Sequence, residues 1–142
     1  MTHVLERAIL IDDEIIDHRL YRKVASRSGL ITTLECFVYA EDALAHLREA
    51  AQTRVDAIFL DINMPRMNGF EFLDALTAEL PERLEQTVIV MLTTSTDPRD
   101  RARAAEYACV SDFLNKPLKA EGIAAVAKLA SERQSALLSA AG

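Results

Sequence analysis

An α/β fold built on a mostly parallel sheet is what this sequence predicts, on three observations. Short apolar runs of strand length recur along the chain, as in strands buried on both faces. Segments with helical spacing separate them, so strand and helix alternate five times. Turn residues fall at the junctions between the two kinds of segment.

The clearest strands are Ala8-Ile9-Leu10-Ile11, Ala57-Ile58-Phe59-Leu60 and Val88-Ile89-Val90-Met91-Leu92. Weaker candidates are Leu34-Glu35-Cys36-Phe37-Val38 and Val110-Ser111-Asp112-Phe113-Leu114. Ile16, Leu20 and Val24 mark the first helix, and Ala43, Leu44 and Leu47 the second. Phe70, Leu73 and Leu76 mark the third, Ala102, Ala105 and Ala108 give the fourth a thin stripe, and Ile123, Val126, Ala130 and Leu137 mark the fifth. Ser28-Gly29 closes the first helix, Asn68-Gly69 precedes the third, Pro81 ends it, and Thr96-Asp97-Pro98 opens the fourth with a cap residue ahead of proline. The alanine-rich stretch from Ala120 to Ala141 is longer than the sheet requires. The whole chain, 1–142, therefore reads as one domain, with 131–142 a helical C-terminal extension.

Composition narrows the functional classes. Of 142 residues, half are apolar and 27% charged, which excludes intrinsic disorder. The net charge of −6 argues against binding nucleic acid through phosphate contacts. No apolar run has the length of a membrane span, and the polar N-terminus does not resemble a secretory signal, so the expected location is the cytoplasm. Cys36 and Cys109 are too isolated for a disulfide framework or zinc site and read as packing residues. His3, His18 and His46 are scattered and read as surface residues, and Arg99, Arg101 and Arg103 as a solvated helix face.

The informative pattern is where polar groups follow the apolar runs. The first strand leads into Asp12-Asp13-Glu14, the third into Asp61, the fourth into Thr93-Thr94-Ser95, and the fifth into Lys116-Pro117. Open α/β sheets bind ligands beyond the carboxyl ends of their strands, where strand order reverses. If the first and third strands are neighbours, Asp12, Asp13 and Asp61 converge. Two like charges ~4 Å apart repel by roughly 4 kcal/mol at an effective dielectric of about 20, so a group of three requires positive charge nearby or must keep some of its carboxyls protonated. Lys116 supplies one, and a hard, partly hydrated divalent cation such as Mg²⁺ (or Mn²⁺) supplies the rest. Metal, ammonium, hydroxyl and a carboxylate nucleophile are the parts of a phosphoryl-transfer site that forms an aspartyl phosphate.

Five fragments, Ile11-Asp12-Asp13-Glu14, Leu60-Asp61-Ile62-Asn63-Met64-Pro65, Met67-Asn68-Gly69, Leu92-Thr93-Thr94-Ser95 and Phe113-Leu114-Asn115-Lys116-Pro117, together resemble the receiver domain of two-component response regulators from about Arg7 to Ala130. The resemblance implies a flavodoxin-like (βα)₅ fold with strand order 2-1-3-4-5. It implies Asp61 as phosphoacceptor, with Mg²⁺ held by Asp13, Asp61 and the backbone carbonyl of Asn63, and by Asp12 through water. Thr93 is similar to the hydroxyl that follows the phosphoryl group, Lys116 to the ion-pairing lysine, Phe113 to the aromatic switch residue, and Lys116–Pro117 to a cis peptide.

Two departures stand out. Cys109 replaces a usual glycine, which implies a loop without positive φ or with some strain there. Thr94 replaces a usual alanine or glycine, and with Asn63 it is expected to set the dephosphorylation rate.

The implied function is that of a phosphoacceptor, not an enzyme, supplied by a sensor histidine kinase or a histidine phosphotransfer protein. Phosphorylation is expected to change the surface formed by the fourth helix, fifth strand and fifth helix. The sequence ends at Gly142, so output is expected through protein contact, a relay or sink role, or dimerisation, and not through direct DNA or membrane binding. The apolar positions Ile123, Val126, Ala130, Leu137 and Leu138 predict a homodimer through that surface and the last helix. Thr93-Thr94-Ser95 and the long tail are similar to single-domain regulators paired with bacterial phytochrome kinases. The rivals are an aspartate-nucleophile phosphatase, whose second acid is replaced here by Asn63, and a degenerate, unphosphorylated interaction module.

Overall fold

A computed structural model describes residues 3–141. In chain order the elements are β1 (Leu5–Ile11), α1 (Ile15–Ser28), β2 (Ile31–Phe37), α2 (Ala40–Glu49), β3 (Ala57–Leu60), α3 (Gly69–Glu79), α4 (Pro81–Gln86), β4 (Val88–Thr93), α5 (Pro98–Ala105), β5 (Val110–Asn115) and α6 (Ala120–Ala141). The five strands are parallel and ordered β2-β1-β3-β4-β5, as the resemblance implies.

Alternating strand residues feed two cores. Ile9, Ile11, Ile58, Leu60, Ile89 and Met91 face α2, α3 and α5. Leu10, Phe59, Val90 and Leu92 face α1 and α6. The central strands β3 and β4, and β1 from Ala8 to Ile11, are buried on both faces, which is why those segments read as unbroken apolar runs; Glu6 and Arg7 at the start of β1 are exposed and half-buried. Edge strands β2 and β5 are only half-buried and correspondingly mixed in composition.

The expected junctions form. Gly29 takes φ 67° and ends α1, a left-handed conformation that glycine adopts without a Cβ penalty. Asn68 and Glu71 make a reciprocal capping box on α3, and the Asp97 side chain caps α5 ahead of Pro98. Cys109 lies outside the positive-φ region, where among non-glycine residues only Arg66 is found, at φ 72° among the described residues.

Several sequence expectations need correction. Ile16, Leu20 and Val24 locate α1 but not its buried face. Ile16 is 78% exposed and Leu20 43%, while His18, Tyr21 and Ala25 point inward. His18 is thus not a surface residue. Pro81 does end α3, but it also starts a further short helix as its first residue, so six helices are described where five were expected. On α5 the buried alanine is Ala104, while Ala102 and Ala105 are exposed and Ala108, also exposed, lies beyond the end of the helix. The stripe on α6 divides: Ile123, Val126 and Ala130 are in the core, but Leu137 and Leu138 face solvent. Arg133 ties the start of the extension to the domain by donating to the carbonyls of Leu84 and Thr87.

Candidate functional site

The crevice lies where strand order reverses, between β1 and β3. Parallel pairing sets Ile11 opposite Leu60, so the next residue of each strand emerges on the same rim. The Asp61 N–H donates to the Ile11 carbonyl at 3.0 Å, and the Asp12 N–H donates to the Phe37 carbonyl at 3.0 Å. Asp12, Asp13 and Asp61 each offer an oxygen, all within 4.8 Å of one another. Asp12 is fully buried and Asp61 is 7% exposed.

Their oxygens are not equally free. Asp12 Oδ1 accepts from the Glu14 N–H at 2.9 Å, and Oδ2 accepts from Lys116 Nζ at 2.7 Å. Asp61 Oδ1 accepts from the Ile62 N–H at 2.8 Å, leaving Oδ2 at 3.5 Å from Lys116 Nζ. The two occupied oxygens of Asp12 suit contact with a cation through water, whereas Asp61 and Asp13 retain oxygens for direct contact. The hard, all-oxygen donor set fits Mg²⁺ or Mn²⁺.

The electrostatics ask for more positive charge. Burial pushes the Asp61 carboxyl up to about 6; Lys116 opposes this, while Asp12 and Asp13 reinforce it. Burial also works against the charge on Lys116. Its hydrogen bond to Asp12, the nearby Asp61 carboxylate and its hydrogen bond to Asp17 outweigh burial and raise its pKa. One ammonium thus serves a crowded acidic group and leaves Asp61 above its ordinary value.

The remaining predicted residues flank this centre. Thr93 is buried at the end of β4, with Oγ1 accepting from the Ser95 N–H at 3.0 Å. The Thr93 carbonyl accepts from the Lys116 N–H at 2.8 Å, which holds the ends of β4 and β5 together. Lys116–Pro117 is a cis peptide. Asn63 and Thr94 are exposed on the rim. Phe113 is half-buried, with the Arg101 guanidinium 4.5 Å from its ring centroid. Gly69 lets the chain pass close behind Asp61: its N–H donates to the Ile62 carbonyl at 2.9 Å, and a Cβ there would run into the Asp61 carbonyl oxygen.

Two residues escaped the sequence reading. Asp17 Oδ2 lies 3.1 Å from Lys116 Nζ, and His18 Nε2 lies 2.5 Å from the Asp12 carbonyl oxygen. Their signal was positional: both occupy the first turn of the helix that begins directly after Asp12-Asp13.

The comparisons with known proteins agree with this geometry. Residues 8–128 match the model of the response regulator receiver domain. The chain is 32% identical over 130 residues to a protein-glutamate methylesterase/protein-glutamine glutaminase of Burkholderia thailandensis, spanning 89% of this chain and 34% of that one. It is 28% identical over 130 residues to hybrid signal transduction histidine kinase L of Dictyostelium discoideum, spanning 88% of this chain and 7% of the kinase. The chain therefore spans about a third of the length of the first of these relatives and less than a tenth of the second. Among solved structures, a two-component response regulator from Cytophaga hutchinsonii superposes with a TM-score of 0.86 at 26% identity, covering 91% of this chain and 98% of that one. No described helix is long and apolar enough to cross a membrane. On the fold, the convergent aspartates and the match over residues 8–128, the chain belongs to the response regulator receiver domain family.

Proposed function

We propose that Asp61 accepts a phosphoryl group from a phosphohistidine on a sensor histidine kinase or histidine phosphotransfer protein, and that the modified receiver signals through its α5-β5-α6 face. The observation that carries this reading is the convergence of Asp12, Asp13 and Asp61 with Lys116 at the reversal of strand order. The receiver-like segment of a hybrid histidine kinase among the relatives supports a histidine donor. Ile15 and Ile16, 59% and 78% exposed in the first turn of α1 beside the acidic rim, offer a donor protein an apolar contact.

Mg²⁺ or Mn²⁺ would be held by Asp13, Asp61 and the Asn63 carbonyl, and by Asp12 through water. When bound, the cation neutralises charge on the transferring phosphoryl oxygens. An Asp61 oxygen attacks phosphorus as the bond to the histidine nitrogen breaks, and the imidazole retains the bonding pair. Lys116 then pairs with a phosphoryl oxygen. The product carries about −1.5 to −2 charge on the rim, and Thr93 turns its hydroxyl from the Ser95 N–H toward it. That movement opens space for Phe113 to rotate inward, away from Arg101. Asn63 and Thr94 on the rim govern access of water and hence the lifetime of the phosphorylated state.

The C-terminal turns of α6, with Leu137 and Leu138 exposed, are the proposed homodimer contact, and a bacterial phytochrome kinase is one phosphodonor of the required kind. Incubation with Mg²⁺ and acetyl phosphate tests the reading. Intact mass should rise by one phosphoryl group in the wild type and not in Asp61→Asn. Rapid turnover to free phosphate with no stable adduct would indicate a phosphatase, and neither adduct nor turnover would indicate an unphosphorylated interaction module.

A further inference from the structure

We propose that Asp17 is a positioning residue for phosphoryl transfer to Asp61, acting through Lys116. The proposal rests on the reading of Asp61 as phosphoacceptor.

A lysine ammonium has three N–H donors at the end of a flexible stem, so its direction depends on what its donors hold. Lys116 Nζ donates to Asp12 Oδ2 at 2.7 Å and to Asp17 Oδ2 at 3.1 Å. One N–H is left for Asp61 Oδ2, 3.5 Å away. The Lys116 side chain is 8% exposed and that of Asp17 is 25% exposed, so this is not a solvated surface pair. Asp17 reaches the lysine from α1, an element independent of the strand ends that carry Asp12 and Asp61. The first turn of α1 is itself fixed, because His18 Nε2 meets the Asp12 carbonyl at 2.5 Å.

The arrangement has a consequence for the nucleophile. With two donors occupied, the ammonium stands off Asp61, close enough to meet oxygens arriving there yet not bonded to the attacking carboxylate. Without Asp17, only Asp12 restrains it. The stem is then free to swing the ammonium onto Asp61 Oδ2, where a direct hydrogen bond ties up the attacking lone pair. Loss of Asp17 therefore slows phosphorylation while leaving the Asp12, Asp13 and Asp61 oxygens in place.

The test compares wild type, Asp17→Ala and Asp17→Asn. Phosphorylation by acetyl phosphate with Mg²⁺ is followed by intact mass over a range of donor concentrations, and Mg²⁺ affinity is measured by calorimetry. Asp17→Ala should lower the maximal rate about tenfold, short of the roughly 10²-fold that a misplacement of about 1 Å can cost, because Asp12 still holds Lys116. Its half-saturating donor concentration and Mg²⁺ affinity should stay within about fivefold of wild type, as expected for removing one partly screened charge. Asp17→Asn keeps an acceptor oxygen and should recover the rate to within about threefold of wild type. If the alanine variant melts early, Asp17→Ser takes its place with the same ranking expected. A wild-type rate in the truncated variant, an asparagine variant as slow as alanine, or a slow rate fully explained by lost Mg²⁺ affinity overturns the proposal. Wild type that never takes up a phosphoryl group overturns the phosphoacceptor reading and this proposal together, whereas normal labelling with no Asp17 effect overturns this proposal alone.

Discussion

Replacing Asp61 with asparagine should make this receiver more stable at neutral pH. Burial lifts the folded-state Asp61 pKa to about 6, against 3.8 for an unperturbed carboxyl. In that window the folded chain still binds the proton that the unfolded chain has released. Stability associated with Asp61 therefore falls as pH rises from about 4 to about 6, and stays reduced above that. The difference between 3.8 and about 6 corresponds to at most about 3 kcal/mol. Asp61→Asn also loses the attraction of Lys116, 3.5 Å away, while its amide oxygen can still accept from the Ile62 N–H. The net gain should be about 1–2 kcal/mol at pH 7.5, shrinking toward zero at pH 4, where wild-type Asp61 is largely protonated. Urea unfolding followed by far-UV circular dichroism, at both pH values, measures it. Mg²⁺ at about 100 times its Kd should return about 2.7 kcal/mol to the wild type and much less to the variant. A variant no more stable than wild type at pH 7.5, or a gap that ignores pH, refutes the reasoning.

Other perturbations probe the frame around the site. Gly69→Ala forces a methyl against the Asp61 carbonyl and should cost about 1–3 kcal/mol in urea unfolding, with slower phosphorylation besides. Arg83 is 6% exposed and donates to the carbonyls of Leu47, Ala50 and Thr53 at the C-terminal end of α2 and just beyond it, so Arg83→Met should lower stability by about 2–4 kcal/mol in the same assay. Arg101→Ala removes a cation–π contact of about 0.5–1 kcal/mol from Phe113 and should shift its ring inward by about two- to fivefold in population, read by fluorine NMR of 4-fluorophenylalanine-labelled protein. An unchanged fluorine spectrum would remove Arg101 from the switch.

How much of this was legible beforehand follows from burial. The strands β3 and β4 are covered on both faces, so their runs of Ile, Leu, Val, Ala and Phe identified them almost to the residue, whereas in β1 only the buried Ala8–Ile11 was marked and the mixed start Leu5-Glu6-Arg7 was not. The site was legible because Asp12, Asp61 and Lys116 each follow a strand and Thr93 ends one, and parallel pairing then brings those ends together. Helix α1 was harder. Its exposed side carries Ile15, Ile16 and Leu20, while its inner side uses His18, Tyr21 and Ala25, so aliphatic spacing points the wrong way. The six residues of α4, Pro-Glu-Arg-Leu-Glu-Gln, carry no apolar stripe. Their anchor is a guanidinium on backbone carbonyls, which residue types do not announce. Asp17 was hidden because its partner lies 99 residues along the chain and only the folded sheet brings them together.

The most direct test of the central assignment is to phosphorylate the protein with acetyl phosphate and Mg²⁺, reduce with borohydride, and map the peptides by mass spectrometry. Borohydride converts an aspartyl phosphate to homoserine, so the account predicts homoserine at position 61 and aspartate retained at positions 12, 13 and 17. Homoserine at any of those three positions with Asp61 intact would contradict it.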